Sequence, residues 1–190
     1  MVKLIITGNP GVGKHTIAKF ISEKYKRTTL IDINRIAIEN NAILRNSNDE
    51  YGIEVDVKKL IKLMTQELKS QKDVIIVGHL APYVLKSNGI DLVVVLRRSP
   101  YELIKIFTAR KYSPEKSREN VASEILGITL YDAVKTFGKD IVAEFDTTGK
   151  SAQYVTNKIL SSVKKTKRKV GSIDWLSLLY ENGDIRKFLE

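Results

Sequence analysis

The stretch Lys3-Leu4-Ile5-Ile6-Thr7-Gly8-Asn9-Pro10-Gly11-Val12-Gly13-Lys14-His15-Thr16 decides how the chain folds. Its first five residues form a short apolar run suited to a strand buried on both faces, and Thr16 to Tyr25 carries Ile17, Phe20 and Ile21 at helical spacing. Between them Gly8 to Lys14 satisfies G-x-x-x-x-G-K, in the strand–loop–helix context that gives that pattern meaning. Glycines at 8, 11 and 13 let the backbone turn where side chains would block it, so that successive amides can converge on phosphate oxygens. The helix beginning near Lys14 adds its positive dipole end, and the lysine itself is aimed between the β- and γ-phosphates of a nucleoside triphosphate. An ordinary glycine-rich turn explains the glycines and leaves the lysine unexplained.

Outward from this loop the pattern repeats. A second strand fits Thr28 to Ile33, and Arg35 to Leu44 and Val57 to Leu68 read as helices flanking the polar stretch Arg45 to Glu54. Asp73 to Val77 and Asp91 to Leu96 are Val/Ile runs with little alternation, as expected of central parallel strands, joined by a helical Ala81 to Lys86. Helices are predicted over Glu102 to Lys111, Glu119 to Thr136 and Ala152 to Lys165, with a short charged segment Lys111 to Arg118 and a last strand at Asp140 to Phe145. Strands alternating with helices predict a doubly wound α/β fold with a parallel sheet. The basic run Lys164-Lys165-Thr166-Lys167-Arg168-Lys169 then breaks the pattern, and Ile173 to Leu189, with the only Trp of the chain, reads as an amphipathic appendage.

The bulk numbers fit one globular domain. The chain has 190 residues, 43% hydrophobic and 28% charged. It has no cysteine, which excludes disulfides, thiol nucleophiles and thiolate metal sites and makes the cytoplasm the expected setting. No apolar stretch approaches a membrane span, so no membrane partner is expected. The formal charge of +10 favours anionic partners such as nucleotides or RNA, although a lysine-rich surface also serves solubility.

At position 15, where a phosphate loop ordinarily places Ser or Thr to hold Mg²⁺, this chain has His15, followed by Thr16. With Pro10 and Thr16 the loop resembles that of the adenylate kinases, G-x-P-G-x-G-K-x-T, which commonly lack a hydroxyl at this first position and hold Mg²⁺ largely through water and phosphate. The resemblance implies a three-layer P-loop NTPase fold of the nucleoside monophosphate kinase type, with ATP and Mg²⁺ as cofactors and no protein metal ligand. His15 is then expected to meet the nucleotide through its backbone N–H.

Two more segments narrow the likeness. Val74-Ile75-Ile76-Val77-Gly78-His79-Leu80 resembles the third strand of the adenylate kinase isoenzyme 6 group, which ends in an acidic residue followed two positions on by histidine; His79 matches the histidine. Val93-Val94-Val95-Leu96-Arg97-Arg98, then Thr108-Ala109-Arg110-Lys111-Tyr112, Asn120 and Glu124, resemble that group's short lid and the helix after it. The likeness runs over residues 1–163, with an acceptor-nucleotide insertion at about 32–56 and a lid at about 109–119, and leaves 164–190 as a basic linker and helical appendage. It implies Lys14, His79 and Arg110 as catalytic residues, and Asn9, Gly11, Val12, Gly13, Lys14, His15, Thr16 and Arg110 as nucleotide-binding ones. It also implies phosphoryl transfer from ATP to AMP or a related monophosphate, or to water, and a small-subunit ribosomal protein and rRNA as partners in ribosome biogenesis.

Departures from that pattern bear on chemistry. Val77 stands at the acidic position, and Ile106 stands one turn before Arg110 where the group often has a second arginine. Arg110 is expected to close over the phosphates, its alternative being a solvated arginine at a helix end. His79 is expected to have a pKa near neutrality and to act as a general base or to orient water, its alternative being a structural histidine. Asp32 and Arg35 follow the second strand where an acceptor would bind, and Arg35 offers a bidentate contact to an α-phosphate, its alternative being a surface ion pair.

Overall fold

The computed structural model describes residues 2–25, 28–44, 54–163 and 168–189. The polar stretch expected at 45–54 lies outside these, apart from Glu54, and so do Lys164, Lys165 and Lys167 of the basic run. Five strands, β1 (Lys3–Thr7), β2 (Thr29–Asp32), β3 (Val74–Val77), β4 (Leu92–Arg97) and β5 (Val142–Asp146), form one sheet in the order β2-β3-β1-β4-β5. Every neighbouring pair is parallel. The helices are α1 (Lys14–Lys24), α2 (Ile33–Glu39), α3 (Val57–Leu68), α4 (Ala81–Val84), α5 (Pro100–Ala109), α6 (Pro114–Ile125), α7 (Ile128–Phe137), α8 (Ala152–Ser162), α9 (Trp175–Glu181) and α10 (Ile185–Leu189).

The strand sequences alternate between two cores. Leu4, Ile6, Ile75, Val77, Leu92, Val94 and Leu96 pack on one face with residues of α1, α5, α6, α8, α9 and α10. Ile5, Val74, Ile76, Val93 and Val95 pack on the other with α2, α3, α4 and α7. Because both faces are covered, both sets of side chains are apolar, which is why the runs show so little alternation in sequence. Each fully buried Ile or Leu contributes roughly 2 kcal/mol of transfer free energy, and this sandwich holds the carboxyl ends of β1, β3 and β4 in fixed relation.

Three expectations change. The helix predicted at 35–44 starts at Ile33 and ends at Glu39, because Asp32 caps it: Oδ1 accepts from the Asn34 and Arg35 amides at 2.9 and 3.3 Å. The helix predicted at 119–136 is two helices, broken at Gly127, whose positive φ of 65° suits glycine. The charged segment 111–118 contains the start of α6, where the Ser113 hydroxyl caps the Lys116 amide and Pro114 occupies the first turn.

The C-terminal helices are integral to the packing. Trp175, Leu179 and Phe188 are buried in the same core as β1, β4 and α5, while Leu176 is exposed. The chain leading to them lies along β5, where the Glu144 amide donates to the Lys169 carbonyl at 2.9 Å.

Candidate nucleotide site

The loop between β1 and α1 is held from outside by its carbonyls. Lys14 Nζ donates to the Gly8 and Asn9 carbonyls, each at 2.9 Å. Arg98 donates to the Gly11 carbonyl at 3.1 Å, and the Thr147 hydroxyl to the Val12 carbonyl at 3.2 Å. With the carbonyls engaged, the amides are what the loop offers an anion. Gly8 and Gly11 are required by space as well as angle. A Cβ at Gly8 (φ 137°) would lie 2.4 Å from the Leu96 carbonyl oxygen, and one at Gly11 (φ 85°) 2.8 Å from Leu103.

Lys14 is 7% exposed, and its pKa falls to about 8: burial lowers it, the nearby Glu124 carboxylate raises it, and the Arg110 guanidinium lowers it again. A cation held this far from water is poised for polyanionic phosphate. The Arg110 coupling places that residue, at the C-terminal end of α5, within electrostatic reach of Lys14. Arg110 is exposed, as an arginine that closes over a bound nucleotide or one solvated at a helix end would be.

His79, two residues beyond β3, faces the same cluster. Burial, then the Lys14 charge, push its pKa down to about 4, with Asp32 opposing. This corrects the expectation of a near-neutral value: the imidazole is neutral around pH 7 and too weak a base for efficient proton abstraction there, but suited to orienting a partner by hydrogen bonding.

His15 and Thr16 are exposed on the first turn of α1. The His15 ring is 2.7 Å from Asp32, Nε2 to Oδ2. Burial raises the Asp32 carboxyl, but the His15 bond and the α2 amides outweigh it and hold the pKa below the usual range. One carboxylate thus caps α2 and ties it to α1. In the β2–β3 register Asp32 is the partner of Val77, so the position that lacks an acidic residue has one on the adjacent strand. Among the described residues Arg35 makes an exposed pair with Glu39 at 3.6 Å.

Val77 is buried and apolar, the His15 ring is engaged by Asp32, and the described residues contain no cluster of three or more His, Cys, Asp or Glu able to hold a metal.

The sequence did not assign roles to Arg97, Glu124, Glu144, Thr147 or Trp175. Arg97 and Glu124 are buried beneath the loop and bond at 2.6 Å, and Arg97 reaches Glu144 at 2.7 Å. Asn9, expected among the nucleotide contacts, turns its side chain toward this group: Nδ2 donates to Glu124 at 2.8 Å and Oδ1 accepts from Ser123 and Thr129. The available signal was Arg97, a charge at the end of an otherwise apolar strand.

Comparison with known proteins agrees with this geometry. Residues 4–127 match a family model described as AAA domain. A protein of Thermococcus gammatolerans named "Putative adenylate kinase" is 38% identical over 90% of this chain and 92% of its own length. One of the same name from Pyrococcus furiosus is 35% identical over 94% of this chain and 93% of its own. Among solved structures, a shikimate kinase from Bacteroides thetaiotaomicron superposes with a TM-score of 0.58 at 14% identity, covering 86% of this chain and 99% of that one. A gluconokinase from Sinorhizobium meliloti gives 0.56 at 15%, covering 97% of each, and both likenesses establish the P-loop kinase fold. The chain belongs to the AAA-domain P-loop family and, within it, to the group of archaeal proteins that bear the adenylate kinase name.

Proposed function

We propose that this chain is a phosphotransferase that moves the γ-phosphoryl of ATP to AMP, giving two ADP. The observation that carries the reading is the buried, protonatable Lys14 on the floor of an amide-lined loop, coupled to Arg110 and to the segment where an acceptor would bind. Catalysis by positioning and charge needs little more: Lys14 and the amides stabilise the transferring phosphoryl, and Arg110 closes over it. Neutral His79 orients the acceptor or water, and Arg35 turns from Glu39 to the acceptor phosphate. A coupled assay tests this directly. Two ADP formed per AMP consumed is the expected result; phosphate release indifferent to AMP would replace the kinase with an ATPase.

The second reading is an assembly factor that uses ATP as a switch while gripping a small-subunit ribosomal protein or rRNA, with kinase activity incidental and the cytoplasm as its setting. The net charge of +10 and the apolar Val77 at the acidic position support it. Replacing Lys164, Lys165 and Lys167 with glutamine and measuring rRNA affinity over a salt series separates the two, since each lost phosphate contact flattens the logarithmic slope by about 0.7 to 0.9. These substitutions are preferable to deleting 164–190, which would remove Trp175, Leu179 and Phe188 from the core.

A further inference from the structure

Beneath the phosphate loop lies a fully buried ionic group that the reaction as described does not use. Glu124 Oε1 accepts from Arg97 Nε at 2.6 Å, from Trp175 Nε1 at 3.0 Å and from the Arg98 amide at 3.1 Å, while Oε2 accepts from Asn9 Nδ2 at 2.8 Å. Arg97 binds back to the Glu124 carbonyl at 2.7 Å and to Glu144 at 2.7 Å, and Glu144 accepts from the Ser172 amide at 3.0 Å. The Glu124 and Glu144 side chains are 0% exposed. Two carboxylates share one guanidinium, so the group carries excess negative charge when all three are ionised, and Glu124 is the largest favourable influence on the Lys14 charge.

Buried ions of this kind are costly, and an apolar replacement would often serve stability as well. Their geometry indicates what they do here. Glu124 and the two hydroxyls of Ser123 and Thr129 use every polar atom of the Asn9 side chain, and the Asn9 carbonyl is one of the two that Lys14 grips. The chain of contacts runs from the C-terminal helix α9 through Trp175 and Glu124 to Asn9, and from there to the catalytic lysine.

We infer that Glu124 is a positioning residue for the phosphate loop, and that Trp175 on α9 completes its cage, so that the C-terminal segment is a working part of the nucleotide site. The inference rests on the phosphate-loop reading. Three variants test it: Glu124→Gln keeps the shape and removes the charge, Trp175→Phe keeps the ring and removes the N–H, and Asn9→Ala cuts the link to the loop.

ATP binding is first measured on the wild-type chain with a fluorescent ATP analogue; no binding there would sink the nucleotide reading itself and the inference with it. Given binding, Glu124→Gln is expected to raise KM for ATP at least tenfold, and to move the alkaline limb of kcat/KM to lower pH as Lys14 loses its carboxylate. Trp175→Phe is expected to raise KM about threefold with kcat little changed, because it removes one of four bonds to Glu124 and leaves the carboxylate and its other three donors in place. Trp175 emission in the wild type should shift on ATP titration with the midpoint of binding, and Asn9→Ala should abolish that shift while circular dichroism remains native. Variants that lower Tm yet leave KM and the alkaline limb at wild-type values, with the emission response of Glu124→Gln and Asn9→Ala also unchanged, would make the group merely structural and overturn the inference. Should Glu124→Gln fail to fold, Trp175→Phe decides on KM and Asn9→Ala on KM and the Trp175 emission response.

Discussion

The donor and acceptor sides of the proposed nucleotide site are built differently. On the donor side the loop carbonyls are taken by Lys14, Arg98 and Thr147, Asn9 is held by three side chains, and a Cβ on Gly8 or Gly11 would collide with its neighbours. On the acceptor side α2 spans seven residues, Ile38 on it is 54% exposed, and Arg35 pairs, among the described residues, with the exposed Glu39. The Asp32 carboxylate, bonded to His15, ties one side to the other. A donor site that must recognise phosphate by backbone has to be preorganised, since amides cannot be re-aimed cheaply; an acceptor site built from long side chains can be assembled when the ligand arrives.

The contrast is broken most severely at its rigid pole. Lys14→Ala should lower turnover a hundredfold or more, because a desolvated charge directed at the transferring phosphoryl is worth about 3 kcal/mol. Affinity, partly supplied by the amides, should fall less, so kcat and Kd need separate measurement; unchanged turnover would remove phosphoryl transfer altogether. The same lysine gives a signature in pH. With its pKa near 8 in the free protein, it is charged below that value and increasingly neutral above it, and bound phosphate raises the pKa. ATP affinity should therefore weaken as pH rises above 8, and calorimetry near pH 8 in buffers of different ionisation enthalpy should show proton uptake on binding.

His79 sits between the poles. Its pKa is about 4 in the folded chain against an ordinary 6.5, so between these values the unfolded chain binds a proton that the folded one does not. Its contribution is thus fully present above pH 6.5 and lost as pH falls toward 4, about 2 kcal/mol after allowance for solvent screening. His79→Gln should flatten that part of the stability curve in urea titrations, and should lower turnover about tenfold if the neutral ring orients water or acceptor. Loss of stability with turnover intact would leave the residue a structural role only.

How much of this was legible in sequence follows the same division. The strand–loop–helix unit, the parallel sheet and Lys14 were readable because each rests on local pattern: apolar runs, glycine spacing, and a lysine that nothing else explains. The ionic group beneath the loop was not. Asn9, Arg97, Glu124, Glu144 and Trp175 are separated by up to 166 positions and carry no shared period, and only the crossing of β4, α6 and the C-terminal helices brings them together. The low pKa of His79 was equally hidden, since it depends on burial and on Lys14, which lies far away in sequence. Gly127 could have been read as a helix break; the apolar periodicity on either side of it masked the signal.

The smallest expected effect falls on the link between the sides. His15 stands where many phosphate loops place a metal-binding hydroxyl, yet its ring points to Asp32, and the contact proposed for it with a nucleotide is through its backbone N–H. His15→Ala should therefore leave ATP affinity and its Mg²⁺ dependence within about twofold of wild type, because the exposed His–Asp pair is worth at most about 1 kcal/mol. Asp32 keeps its bonds to the Asn34 and Arg35 amides, so α2 should remain folded. What changes is the tether that holds α2 against α1, and KM for AMP should rise by about threefold at unchanged kcat. Asp32→Asn, which weakens both the tether and the cap, should do more to AMP than to ATP. A mutant that lost Mg²⁺ dependence would instead make the imidazole a metal ligand, and one that damaged ATP and AMP binding equally would show that the two sides are a single rigid unit after all.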